Sequence, residues 1–145
     1  MISDSRLILP EPTASLEFWI PGKPVSKPRM TRQDKWKQRP CVVEYRAFKD
    51  LIKLIVGNTL PPVESIVRVN WIAYHEVPKS WSRKKADAHR GRLKQTTPDR
   101  DNIDKALLDA LWARDEAIAW GTLLKVWCPE GQEPGIRLEV QFSAD

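Results

Sequence analysis

At 145 residues the chain is long enough for one domain with a proper core and too short for two comfortable ones. Its 41% hydrophobic residues and seven tryptophans exclude a disordered chain, and a formal charge of +5 with pI near 9.4 is too modest to argue for a polyanion partner by total alone. Cys41 and Cys128 are isolated, which speaks against a zinc ribbon or disulfide scaffold, and no apolar run approaches the ~20 residues of a membrane span. The first residues also lack a basic start followed by a hydrophobic segment, so the sequence predicts a cytoplasmic protein with no membrane partner.

Residues 1–15 read as a flexible N-terminal segment of a single domain spanning 1–145. Leu16 to Ile20 has strand composition and stops at the turn pair Pro21-Gly22. The loop that follows contains Pro24, Pro28 and Pro40, which argues against a long helix there. From Val42 to Val56, Tyr45, Phe48, Leu51, Ile52 and Ile55 form a helical stripe, with Gly57-Asn58 as its C-terminal stop. Ile66 to Tyr74 alternates β-branched and aromatic residues and predicts a strand. A short helix capped by Ser80 is expected next, released at Gly91.

Pro98 biases Thr97 to an extended conformation, so Asp99 to Asp101 is expected to begin extended. A helix then starts with Asp101 or Asn102 as N-cap, placing Ile103, Leu107, Ala110 and Leu111 on one face. Two strands close the chain, Ile118 to Trp127 and Ile136 to Phe142. The order β-α-β-(α)-α-β-β predicts an α/β (α+β-like) fold: a small mixed sheet of about four strands with helices packed on it.

Charge placement is uneven. Lys23, Lys27, Arg29, Arg32, Lys35, Lys37 and Arg39 are opposed by Asp34 alone, and a second block holds Lys79, Arg83, Lys84, Lys85, Arg90, Arg92, Lys94 and Arg100. Such runs are commonly just solvated loops, but these bracket an acidic motif. In an extended segment Asp99 and Asp101 point to one side and can share a cation. Paired hard oxygens suit Mg²⁺ or Mn²⁺, which can polarise a phosphate and activate a water. Lys105 would sit one turn into the helix, placed to stabilise charge developing on that phosphate. Taken alone, Lys105 reads as a surface ion pair with Asp101 or Asp109, and Asp99-x-Asp101 as an Asx-turn and N-cap. Basic blocks around acids favour the metal-bridged reading.

The stretch "TPDRDNIDKALLDAL" resembles the signature of the RusA family of Holliday junction resolvases, in which P-D-x-D-N, a lysine three residues after the Asn, and D-A-L follow in order. "FWIPGKPVSKPRMTR" and "HRGRLKQTTPD" extend the resemblance, which accommodates most of Phe18 to Phe142. It implies a homodimeric, Mg²⁺- or Mn²⁺-dependent endonuclease of bacterial, phage or prophage origin, resolving four-way DNA junctions by paired symmetric nicks in recombination and repair. Asp99, Asp101 and a third carboxylate would be the metal ligands and Lys105 the catalytic lysine. "WARDEAI" aligns Asp115 with the third acid, with Glu116 as substitute; Arg114 stands where a first acid would be and Ala117 replaces the family's Gln. The link from D-A-L to Trp112 is also short, and a helix from Ile103 to Trp112 spans about 15 Å. Asp115 would thus be far from Asp101 unless the helix ends early, the chain doubles back, or a partner subunit supplies the acid.

A two-fold dimer matches a junction that presents two equivalent strands. Lys23, Lys27, Arg29, Arg32, Lys35, Lys37, Arg83, Lys84, Lys85 and Lys94 are the expected phosphate contacts. Trp36 either stacks on a base or, as expected here, packs under its own loop; Trp19, Trp71, Trp120 and Trp127 read as core. His75 and His89 are too isolated to be ligands and are expected in ordinary surface or loop roles. Rival readings are a nuclease for flaps, forks or duplex, a non-catalytic basic DNA-binding module, and a protein-interaction domain.

Overall fold

The computed structural model describes residues 2–144. Among them, one four-stranded mixed sheet is formed by β1 (Ala14–Pro21), β2 (Ile66–His75), β3 (Leu123–Trp127) and β4 (Gly135–Phe142), in the order β1-β4-β2-β3. The helices are α1 (Pro40–Val56), α2 (Arg83–His89) and α3 (Arg100–Leu111), and 3-10 turns lie at Arg32–Lys35, Val63–Ser65 and Asp115–Ala117. No described helix is long and apolar enough to cross a membrane.

β4 pairs antiparallel with both β1 and β2, whereas β3 runs parallel to β2. A parallel neighbour requires a crossover, and α2 and α3 lie within it. Consequently the N-terminus of α3 returns beside the carboxyl ends of β2 and β3, where crevices form in sheets of this kind.

Alternation on β2 buries Val67, Val69, Trp71, Ala73 and His75. Of these, Val69, Trp71 and Ala73, with Ile20, Ile136, Leu138 and Val140, form the sheet side of a core closed by Tyr45, Phe48 and Ile52 of α1 and Ile103, Leu107 and Ala110 of α3. α1 begins earlier than its apolar stripe suggests because Pro40 fits the first helical turn, whose N–H groups need no partner in the helix. Gly57, at φ 57°, ends it as expected. A smaller cluster of Val77, Ala86 and Trp127, with Trp81 against it, anchors α2.

Several expectations are corrected. The last crossover helix starts at Arg100 with Asp99 as its N-cap, not at Asp101 or Asn102. α2 is capped by Ser82, whose side chain accepts from the Lys85 N–H, rather than by Ser80. β3 begins only at Leu123, because Asp115–Ala117 forms a 3-10 turn and Trp120 to Thr122 follows β2 without strand geometry of its own. Trp19 and Trp120 are each 37% exposed, because helices cover one face of the sheet and these rings lie on the other. Trp120 is covered partly by Arg68, whose guanidinium carbon lies 4.4 Å from the ring centroid.

The outer edge of β3 is shielded by the segment after α2. Gly91 and Lys94 donate main-chain bonds to Trp127 and Lys125 at 3.0 and 2.9 Å, and Trp127 donates to Arg92 at 2.9 Å. Along β2, the Val69 and Trp71 N–H groups donate to the carbonyls of Trp120 and Thr122, each at 3.0 Å, with Gly121 between them. A Cβ on Gly121 would overlap the Val69 carbonyl oxygen. Gly121→Ala is therefore expected to lower stability by about 2 kcal/mol; urea unfolding should show a reduced midpoint at unchanged slope.

Candidate active site

The acidic motif spans the join between an extended segment and α3. Asp99 has extended backbone angles (φ −68°, ψ 141°), and its carbonyl accepts from the N–H groups of Asn102 and Ile103. Its side chain makes no capping bond. Asp101 lies within the first helical turn, which corrects the expectation that both acids share an extended stretch. Its carboxylate is exposed and stands 3.6 Å from the Lys105 ammonium one turn on.

The polar flanks of α3 fix its position. Asp104 is half-buried and accepts from the Trp71 indole N–H at 2.9 Å, tying the helix to β2. Burial raises the Asp104 carboxyl pKa, the indole bond opposes that rise, and the charge of Asp101 adds to it. Near the other end, Asp109 accepts from the Tyr45 hydroxyl and from Lys49 at 2.9 Å, with Lys27 at 4.0 Å. Its pKa is lowered, first by the Tyr45 bond. Burial and the Asp109 bond push the Tyr45 phenol upward.

Two loops converge on the start of α3. Lys125 of β3 donates to the carbonyls of Thr96 and Pro98, both at 2.6 Å. Lys27 donates its backbone N–H to the Asn102 carbonyl at 2.9 Å. These contacts frame a cleft of about 800 Å³ whose lining includes Asp99, Asn102, Lys23, Lys94, His75 and Trp127. The cleft joins Asp99 to members of both basic blocks; Asp101 and Lys105 lie outside its lining.

The first basic block is folded around its single acid. Asp34 is 4% exposed and accepts two bonds from Arg39, at 2.7 and 2.8 Å, and one from the Thr31 N–H at 2.6 Å. The Arg39 guanidinium and the Thr31 amide hold its pKa well below the usual carboxylate range. Arg39 is thereby committed to the fold, while Lys23, Arg29, Arg32, Lys35 and Lys37 are exposed. Trp36 is 76% exposed, which corrects the expectation that it packs under its loop: Val42 and Tyr45 of α1 turn inward, and the ring projects beyond the 3-10 turn.

In the second block Arg83, Lys84 and Lys85 are exposed on α2, and Lys85 places its ammonium 4.5 Å from the Trp81 ring centroid. Lys94 is half-buried, donates to the Thr96 hydroxyl at 2.6 Å and lies 4.3 Å from the Trp127 ring centroid. Burial, followed by the charge of Lys125, lowers its pKa.

Asp115 falls in the 3-10 turn beyond the far end of α3, with Glu116 exposed beside it. Among the described residues no three His, Cys, Asp or Glu side chains are grouped closely enough to hold a metal ion. Asp99 and Asp101 are thus not joined by Asp115 within one chain.

Sequence reasoning missed two residues at the cleft. Lys125 gives no local signal, since its partners are main-chain carbonyls distant in sequence. His75 does give one: it continues the inward alternation of Val67, Val69, Trp71 and Ala73. It is 6% exposed with Nε2 unpartnered, which corrects its assignment to an ordinary surface or loop role. His89 is half-buried on α2, its Nδ1 2.7 Å from the Lys85 carbonyl and its ring centroid 4.7 Å from that of Trp81.

The family model for endodeoxyribonuclease RusA matches residues 21–141. No curated protein matches the chain.

The buried His75 confers a pH dependence. Burial, with the charges of Lys94, Lys125 and Lys23, pushes its pKa down from 6.5 to about 4. Between those values the unfolded chain binds the proton that the folded chain refuses, so stability is full above about pH 6.5 and falls as the pH drops toward 4. The expected loss is on the order of 3 kcal/mol. Urea unfolding at pH 7 and pH 4.5 should show it, and His75→Gln should flatten that part of the profile.

Proposed function

The chain belongs to the RusA family of endodeoxyribonucleases, and from that premise we propose that it resolves four-way DNA junctions by hydrolysing one phosphodiester in each of two symmetric strands. In each hydrolysis water adds to phosphorus and one bond between phosphorus and a sugar oxygen breaks. The observation that carries the reading is the Asp99 carboxylate: it occupies the N-cap position, makes no capping bond, and lines a cleft shared with Lys23 and Lys94. A carboxylate serving only as a cap would be bonded to the first-turn N–H groups.

The donor set fits a hard divalent cation. Asp99 and Asp101 are exposed oxygen donors near one helix start, suited to Mg²⁺, or Mn²⁺ in its place, which keeps several waters when held by one or two carboxylates. Such a cation, when bound, polarises the phosphate and makes a water more acidic. Asp115 is proposed as a third ligand contributed by the partner of a homodimer, because within its own chain it lies beyond the opposite end of α3.

Lys105, with its ammonium 3.6 Å from Asp101, is placed to stabilise negative charge on the phosphate under attack. Lys23, Lys27, Arg29, Arg32, Lys35 and Lys37, with Arg83, Lys84, Lys85 and Lys94, hold the DNA arms through their phosphates. Binding should therefore weaken steeply with salt and follow branch shape more than sequence. An isologous dimer presents two such sites about the same two-fold axis that relates equivalent strands of the junction.

End-labelled mobile four-way junctions incubated with Mg²⁺ or Mn²⁺ provide the test, with linear duplex as control. Wild type should give paired nicks in symmetric strands. Asp101→Asn should lower the cleavage rate by about 10²-fold or more while changing junction affinity by no more than a few-fold. Binding without cleavage by both proteins would overturn the enzymatic reading, and equal cutting of duplex would overturn the junction specificity.

A further inference from the structure

We propose that the cleft beside Asp99 receives an unstacked nucleobase from the DNA branch, with the buried His75 imidazole hydrogen-bonded to the base edge. This rests on the DNA-cleaving reading above and adds a second kind of contact to it, one that engages a base rather than the phosphate chain.

The walls combine apolar surface with charges of both signs. Pro24, Pro98, Pro134, Val77 and Trp127 contribute apolar surface, with His75 among them at the carboxyl end of β2. Lys23, Lys79 and Lys94 supply positive charge, and Glu44, Glu76 and Asp99 supply carboxylates to the same lining. A phosphate placed inside, away from Asp99, would meet the Glu44 and Glu76 carboxylates and apolar rings. A neutral, flat heterocycle with polar edges suits apolar walls and mixed donors and acceptors, while its flanking phosphates remain near the lysines.

His75 supplies the second argument. Its side chain is more than nine-tenths buried, lines the cleft, and has an unpartnered Nε2. Leaving such a nitrogen unpaired is unfavourable, and buried polar atoms without partners are uncommon enough to call for an explanation. A base edge offers both donors and acceptors, so the neutral imidazole can be satisfied in either tautomer.

The walls of the cavity are formed before any ligand arrives, and a turn of the His75 ring brings its covered Nε2 to the opening. Gly22 donates to the Pro134 carbonyl at 3.1 Å, Lys27 to that of Asn102 at 2.9 Å, and Cys128 to that of His75 at 2.8 Å. These bonds join the basic loop, α3, β2 and the turn before β4 around the opening. At about 800 Å³ the cleft has room for a nucleoside. Bases at a branch point keep their pairs but lose the continuous stack of a duplex, so withdrawing one there costs less than in the middle of an arm.

The test uses the full-length protein and four-way junctions carrying 5-iododeoxyuridine at successive positions around the crossing. Complexes are irradiated without divalent ion, and crosslinked peptides are mapped by mass spectrometry. Crosslinks at one branch position to residues 75–78 or 127–134 are expected. Two variants accompany the wild type: His75→Leu removes the polar partner, and Ser26→Trp fills the cleft from the loop side. Both should retain the wild-type circular dichroism spectrum and junction affinity within about ten-fold, the range that follows from losing one base contact, while the crosslink yield falls at least five-fold. If the junction is bound and cleaved but crosslinks fall only on the basic loop or α2, or yields are unchanged in both variants, the base pocket is wrong and the nuclease reading stands. If wild type neither binds nor cuts the junction, the nuclease reading itself fails and the pocket with it.

Discussion

The site depends on how α3 is seated. Its apolar stripe of Ile103, Ala106, Leu107 and Ala110 is buried, but a stripe of small and medium residues leaves freedom to slide or roll on a sheet. Asp104 and Asp109 remove that freedom from opposite ends. The first is bonded to the Trp71 indole in the middle of β2, and the second is gripped by Tyr45 and Lys49 of α1. Asp101 and Lys105 are left on the exposed side. One twelve-residue helix thus divides four of its charged groups between holding its place and facing solvent.

The same division appears in the first basic loop. A segment with many like charges tends to stay open and mobile, since its side chains repel one another. Asp34 counters this by its burial: it takes Arg39 and the Thr31 amide inward, and Arg39 also donates to the Arg29 carbonyl at 2.8 Å. The remaining cations are displayed on a folded turn rather than a loose strand. A loop ordered in advance loses less freedom when it binds a partner.

Much of this was legible in the sequence because its signals are local. Strand composition before a turn pair revealed β1, alternation revealed β2 and β4, the spacing of Tyr45, Phe48 and Ile52 revealed α1, and the motif from Thr97 to Leu111 marked the acids and the helix behind them. The start of α3 was misread because the restraint of Pro98 reaches back to Thr97 and leaves Asp99 free to begin a helix. Trp19 and Trp120 were misread because alternation says that a strand has two faces, not which face the helices leave open. Trp36 was misread because a loop's own cover cannot be inferred from its composition. His75 lay one position beyond the expected end of β2, so its inward phase was overlooked. The relation of Asp99 to His75 and Lys125 depends on the parallel pairing of β2 with β3, which no local pattern encodes.

Lys125 grips the segment before the acids by main-chain oxygens alone, those of Thr96 and Pro98. Every amino acid offers such an oxygen, so this grip places no demand on which side chains those two positions carry. The demand falls entirely on position 125, where a long cationic side chain is needed. Divergence could therefore rewrite the lead-in to the acidic motif while the requirement for its placement stays on a strand more than twenty residues away.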